Sequence, residues 1–500
     1  MSTVLACDLG GSSFRAALID QTGKTIALHA VSTELAHDKH GLSEIDPQTW
    51  WTTFAVCVNA LQRADAPAFA RIQGIAVCGF TRTQVFLGRH GNVLRPAITW
   101  QDSRAEELVG SLRSLLSPDH PETAQINAFH PLARLHWLQK HEPETLAQLD
   151  HIVDPKDYIA FRLTGALHSD PISLARLLAA SKEGPDGLTL FKAAGIDETV
   201  LPALVHPTSR VGMVQAGLGG PMKDLAGKPV FACSNDTWAS VLGLGAMRDG
   251  IAYNISGTTE VFGVLSQNRA EAEGLLSVDW NGLHQLGGPG QNGADTVRWL
   301  LGVLQPDETA QDIGPALTRL LEAGRDPQPL LFLPYLNGER TPYWDPALRG
   351  AFIGLNRNHG PTDLAYAVLE GIAFYNRIIL ERAEAATGKP VREIRFGGGG
   401  ADTPAWRQIK ADICGRPVVV GQTRETGLLG TAAVVWTGLG YFDTLEAAQL
   451  ALVRTDARYE PDPRQGIFYD KMFLQFRATE AALSPISSAL AAMPSVVSGG

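Results

Sequence analysis

Cysteine is scarce in this 500-residue chain. Its five residues, Cys7, Cys57, Cys78, Cys233 and Cys414, are scattered, odd in number and free of any Cys-x-x-Cys pair. That pattern excludes a disulfide framework and reads as reduced, buried thiols in a cytoplasmic protein. Positive charge is also short: 42 Lys and Arg face 52 Asp and Glu, a net charge of -10. A nucleic-acid partner is therefore not expected, because phosphate-backbone binding draws on a basic surface. No apolar run approaches the roughly 18 residues of a membrane span. Asp8 stands where a signal peptide would need a basic and then apolar segment, so neither a membrane partner nor a leader is expected. The thirteen histidines form no zinc constellation; His37 and His40 have H-x-x-H spacing but lie in a polar segment and read as solvated. A G-x-x-x-x-G-K-[ST] phosphate loop and a G-x-S-x-G nucleophile elbow are missing too.

What is present has an ordinary globular composition, 45% apolar and 19% charged. Five hundred residues exceed one hydrophobic core, so two domains are expected. The opening reads as a β-meander: Thr3–Asp8, a turn at Gly10–Ser13, Phe14–Asp20, a second turn, then a strand near Ile26–Val31. Asp46 and Pro47 begin an amphipathic helix through Leu61. The strand–turn–strand pattern restarts at Ile251–Ile255, Ser256–Thr259 and Val261–Leu265, which sets a boundary near Asp249. A long helix is expected from Thr362 to about Ala386, with Gly388-Lys389-Pro390 as its stop. The expected division is 1–248, 249–445 and a helical extension over 446–500 whose end, from Ala481, is frayed. Alternating strand and helix patterns give an α/β architecture.

Four glycine- or hydroxyl-rich turns stand out: Asp8–Ser13, Ser256–Thr259, Gly397–Gly400 and Thr426–Gly430. Such turns let backbone N–H groups approach phosphate oxygens, and several of them together point to a triphosphate. Gly397–Gly400 also raises a dinucleotide-dependent oxidoreductase, but the third glycine of G-x-G-x-x-G falls at Asp402. Asp8, at a strand end beside a glycine turn, reads either as an Asx-type cap or as a magnesium site held through water. Asp236 reads either as a helix N-cap or as a general base for a substrate hydroxyl. Arg82, Trp100 and Arg104 read either as a polar rim around a ring that packs on a sugar, or as a core tryptophan with surface arginines.

At this point the chain resembles the FGGY family of carbohydrate kinases, members of the actin-like ATPase superfamily. The resemblance runs from about Val4 to Asp462. Gly350–Leu355, seven residues, and then Asp363–Glu370 fit the second family signature throughout; Phe129–His141 fits the first, with Arg134 in place of lysine. Glu44–Pro47 with Trp50 and Trp51, Pro155–Tyr158 and Pro334–Pro342 are further similar pieces.

The resemblance implies two ribonuclease-H-like domains with ATP and Mg2+ in an interdomain cleft. It implies that Asp236 is the base and that Asp8, with Asp236, positions the metal directly or through water. Gly10, Gly11, Ser12, Ser13 and Arg15, with Gly257 and Thr258, would cradle phosphates; Gly397, Gly398, Gly399 and Gly400 would face adenosine, with Gly430 nearby. The acceptor, a small sugar, sugar acid or polyol, would meet Thr81, Arg82, Trp100, Asp236 and Thr237. Xylulose kinases of the family carry Met-His where Thr81-Arg82 stands and Asn where Thr237 stands. Glycerol kinases carry Arg-Glu, which Arg82 matches and Thr83 does not. Ile98–Gln101 is similar to glycerol kinases, Pro155–Tyr158 to xylulose and gluconate kinases. A non-catalytic sugar sensor on the same fold is the second reading, and a homodimer is compatible with the sequence without being demanded by it.

Overall fold

The structure is a computed structural model that describes residues 1–33, 41–304, 313–322 and 324–493. His37, His40 and the last seven residues lie outside the described residues. The chain forms two compact units, Met1–Gly243 with Glu425–Val453, and Leu244–Arg424 with Arg454–Gly500.

In the first unit β1 (Thr3–Leu9), β2 (Ser13–Asp20) and β3 (Thr25–Ser32) form the expected meander. β4 (Ile72–Gly79) lies parallel to β1 on its other side, followed by β6 (Pro229–Phe231) and the edge strand β5 (Arg210–Met213). The sheet order is therefore β5-β6-β4-β1-β2-β3. β1 is apolar on both faces because helices cover both. Helix Pro47–Ala64 brings Trp50, Phe54 and Leu61 against one face, capped by the Asp46 side chain, which accepts from Gln48 N–H. A smaller core built on Phe86, Ile98, Leu132 and Leu135 holds the inserted segment that carries Trp100 and the first signature.

The second unit repeats the plan. β7 (Ile251–Ser256) pairs antiparallel with β8 (Glu260–Ser266), which pairs with β10 (His284–Pro289), edged by β9 (Leu276–Asp279). Across β7, β11 (Glu393–Gly397) and β12 (Val418–Gly421) run parallel, and β13 (Thr455–Tyr459) closes the edge. Three antiparallel strands followed by parallel ones in both units is the ribonuclease-H-like arrangement that the resemblance implied. The long helix spans Pro361–Thr387 and ends at Gly388, whose φ of 67° only glycine adopts without strain.

Three expectations need correction. The 249–445 stretch is not one body: helix Thr426–Gly438 and helix Leu445–Leu452 belong to the first unit. The first of these is buried from Thr426 to Trp436 on every side, and a helix without a polar face has to be enclosed. Nor is 446–500 a separate extension, since β13 joins the second sheet and helix Pro463–Ala491 packs Phe473 and Phe476 on Phe374 of that unit's core. Residues Ala481–Ala491, expected to fray, are helical.

Candidate active site

Asp8 is the last but one residue of β1, where the strand enters the Gly10–Ser13 turn. Gly10 N–H donates to Ser13 O at 3.0 Å and closes that turn. Arg15 donates from Nε to Ser13 Oγ (3.1 Å) and pairs through Nη1 with Glu425 (2.8 Å), a partner that the sequence did not reveal. The Asp8 carboxylate lies against the first turn of helix Thr426–Gly438. A Cβ on Gly427 would sit 2.3 Å from Asp8 Oδ2, so only glycine lets that helix end approach the carboxylate. Asp8 Oδ1 is buried and has no hydrogen-bond partner, so the carboxylate is not occupied as an Asx cap there. Burial and the neighbouring Asp236 carboxylate push Asp8 up to about 7, against the opposing pull of the Cys78 thiol and Arg15.

Asp236 opens helix Asp236–Gly243. It does not cap it. Asn235 Oδ1 accepts from Trp238 N–H at 2.8 Å, which makes Asn235 the N-cap and leaves the Asp236 side chain for other work. Asn235 is itself fixed by a parallel bridge to Gly79 at the end of β4. Asp236 Oδ1 accepts from Thr237 N–H (2.6 Å) and from the Thr237 hydroxyl (3.3 Å). Burial raises the Asp236 carboxyl above the usual carboxylate range, and these hydrogen bonds offset part of the rise.

Gly430 has a different task from the nucleotide contact that was expected of it. It is buried where helix Thr426–Gly438 crosses helix Asp236–Gly243, and a Cβ there would lie 1.8 Å from Ala239 O. Gly243 answers from the other helix, its Cβ position 1.9 Å from Thr426 O. The crossing fixes the helix that carries Asp236 to the helix whose Gly427 backs Asp8.

The expected acceptor residues Thr81, Arg82 and Trp100 lie on two loops of the first unit that are bonded to each other. Arg82 has φ 59°, a left-handed conformation that is uncommon outside glycine and concentrates at functional sites. The Arg134 guanidinium, wholly buried, donates to the carbonyls of Arg82 and of Asp102 and so ties the two loops together. The Trp100 backbone N–H donates to Thr83 Oγ1 (3.0 Å), and the residue is 36% exposed, which rules out a core tryptophan. Arg104 behaves in the opposite way: it is buried, pairs with Asp102 (2.8 Å) and Glu44 (2.7 Å), and lies over Trp137 at 4.9 Å, a framework role. Thr81 is half-buried at the start of the same loop.

In the second unit the turns Ser256–Thr259 and Gly397–Gly400 meet through Ser256. Gly398 (φ 83°) would place a Cβ 2.4 Å from Ser256 O, and Gly400 one 2.5 Å from Ser256 Oγ. Gly397 packs under Leu244. These three glycines serve close packing, whereas Gly399 is exposed with open space at its Cβ position. The Gly257 and Thr258 carbonyls accept from the N–H groups of Ala294 (2.9 Å) and Asp295 (3.3 Å), which ties their turn to the start of helix Ala294–Leu304; the Thr258 side chain is exposed.

Two family models match the chain: the FGGY family of carbohydrate kinases, N-terminal domain, over residues 3–243, and its C-terminal domain over 252–436. The chain belongs to the FGGY family of carbohydrate kinases. It is 28% identical over 502 residues to the xylulose kinase of Lactococcus lactis, covering 98% of this chain and 99% of that one. It is 30% identical over 431 residues to the xylulose kinase of Escherichia coli, 82% of this chain and 85% of the relative. The crystal structure of xylulose kinase from Rhodospirillum rubrum superposes with a TM-score of 0.84 at 26% identity, over 97% of this chain and 99% of that one. This FGGY protein is thus a carbohydrate kinase, and the oxidoreductase and sensor readings fall away. Among the described residues no helix is long and apolar enough to cross a membrane.

Proposed function

We propose that the chain transfers the terminal phosphoryl group of ATP to a hydroxyl of a small ketose or polyol, with Asp236 as the general base. The observation that carries this reading is the division of labour at residues 235 and 236: Asn235 caps the helix, so the Asp236 carboxylate is left for chemistry. With Oδ1 held by Thr237, Oδ2 takes the proton from the acceptor hydroxyl as that oxygen attacks phosphorus. The relatives named xylulose kinase favour a pentulose. The departures at Thr81, Arg82 and Thr237 favour a pocket that differs from theirs.

The donor set fits Mg2+. Among the described residues no group of three or more His, Cys, Asp and Glu side chains is placed to hold a metal ion. A magnesium ion needs no such group, because it keeps several waters and takes one or two carboxylates together with substrate phosphates. The unpartnered Asp8 Oδ1, with Asp236 nearby, offers that minimum. When bound, Mg2+ would neutralise charge on the transferring phosphates. Gly10–Ser13 and Arg15 are the first unit's candidates for phosphate oxygens, and Gly257, Thr258 and Gly399 are the second unit's candidates for a nucleotide contact.

A coupled ADP-release assay with ATP and Mg2+ across xylulose, ribulose, glycerol, erythritol and gluconate tests this reading. A rate that depends on one acceptor supports it; ATP turnover indifferent to every acceptor would sink it. The pH dependence is a second check. The working form of Asp8 is ionised and its carboxyl is pushed up to about 7, so activity should fall along an acid limb as pH drops through that range when Mg2+ is limiting. Excess Mg2+ favours the Asp8 carboxylate and should move the limb to lower pH. A limb that ignores Mg2+ would remove Asp8 from the metal.

A further inference from the structure

Asp154 is buried, 4% exposed, and its Oδ2 has no hydrogen-bond partner. It precedes helix Pro155–Thr164 as N-cap residue, yet its side chain makes no capping bond. Lys156 is not its partner either, being held by Asp157 (2.6 Å) and Asp170 (2.8 Å). The charged groups that act on Asp154 are Asp157, Lys156, Asp170 and Asp236, and Asp154 in turn acts on Arg134. A Cβ on Gly79 would lie 3.6 Å from Lys156 Cβ, and Gly79 bridges Asn235 next to the base, so the helix that Asp154 precedes starts beside the strand end that holds Asp236.

A second buried acceptor is Gln84. The strand Leu149–Val153 pairs antiparallel with Val85–Gly88, Val85 opposite Val153. That ladder ends at Val85 and Val153, the residues next to Gln84 and Asp154, and the Gln84 backbone pairs instead with Ile98. Gln84 is 2% exposed; its Nε2 donates to Pro131 O (3.1 Å), and its Oε1 is buried without a partner. Two buried oxygens left unsatisfied are costly, and a hydrogen-bond donor would satisfy both. Substrate hydroxyls are donors of the right kind, whereas a carboxylate offers none and would face electronegative atoms.

We infer that Asp154 is a specificity-determining residue of the acceptor site, where it and Gln84 accept hydrogen bonds from substrate hydroxyls other than the one phosphorylated. This rests on the proposed function and adds a preference for neutral polyhydroxy acceptors over sugar acids.

The test is steady-state kinetics of Asp154→Leu, Asp154→Asn and Gln84→Met on the five-acceptor panel, with Asp236→Ala in parallel. Loss of the hydrogen bond should raise the KM of the preferred neutral acceptor about tenfold or more in Asp154→Leu, with the KM of ATP unchanged. Asp154→Asn should restore most of the affinity, and Gln84→Met should act in the same direction as Asp154→Leu. Should Asp154→Leu fail to fold, Gln84→Met carries the test alone. An unchanged acceptor KM in the folded Leu and Met variants overturns the inference, as does an equal rise for ATP or a wild type that prefers gluconate to every neutral acceptor. Wild-type activity in Asp236→Ala, or silence of the wild type on the whole panel, overturns the proposed function instead, and the role of Asp154 with it.

Discussion

Asp236→Ala should lower kcat at least about 100-fold, the range lost with a general base. The fold should survive, and the reason is local. Asn235, not Asp236, supplies the capping oxygen to Trp238 N–H, and Asn235 is anchored by its bridge to Gly79. Removing the Asp236 carboxylate therefore costs the helix no cap. It also takes a repelling charge away from Asp8, so binding of ATP should persist. The measurement is acceptor-dependent ADP release beside a thermal melt of the same preparation. Near-normal turnover in a folded Asp236→Ala protein would remove Asp236 from the chemistry.

Gly430→Ala should be among the most destabilising single-methyl additions in the chain. The new Cβ meets Ala239 O at 1.8 Å, and that oxygen is backbone in the facing helix, so the helices must part. Overpacking of this kind costs about 3 kcal/mol where backbone has to move, a fall of roughly 5–10 °C in the melting of a unit of this size. Activity should fall as well, because one helix carries Asp236 and the other carries the Gly427 that backs Asp8. Gly399→Ala is the matched control: it adds the same methyl where nothing lies within 4 Å, and should melt with the wild type. A Gly430→Ala protein that also melts with the wild type would show that the crossing has slack.

Both meanders were legible in the sequence because alternating residues and glycine turns are local signals, and the end of β1 placed Asp8 correctly. The position of Asp236 was legible as well, but not its freedom from capping, since Asn and Asp are equally good N-caps and adjacent. Gly430 was misread because a glycine serving a helix crossing and a glycine facing a phosphate are the same letter in the sequence. The return of Glu425–Val453 to the first unit was hidden for a related reason: a helix apolar all round announces burial but not its neighbours. Arg104 read either as part of a sugar-binding rim or as a surface arginine, and neither reading showed its pairing with Glu44, sixty residues earlier. Asp154 gave no signal of its own, because its unsatisfied oxygen depends on strands far apart in the chain.

The path of the chain also governs how the protein comes into being. The first unit starts with Met1 but is not complete until Val453, with the Leu244–Arg424 part of the second unit translated in between. At ribosomal rates, the roughly 200 intervening residues take about 10–40 s to emerge. During that interval the nascent first unit lacks the helix that backs Asp8 and clamps the helix of Asp236, and the apolar surface meant for that helix is uncovered. A chain halted anywhere before Glu425 therefore has both aspartates yet no assembled pair. The pair is assembled only once Glu425–Val453 has been made, and until then the surface meant for that helix stays uncovered.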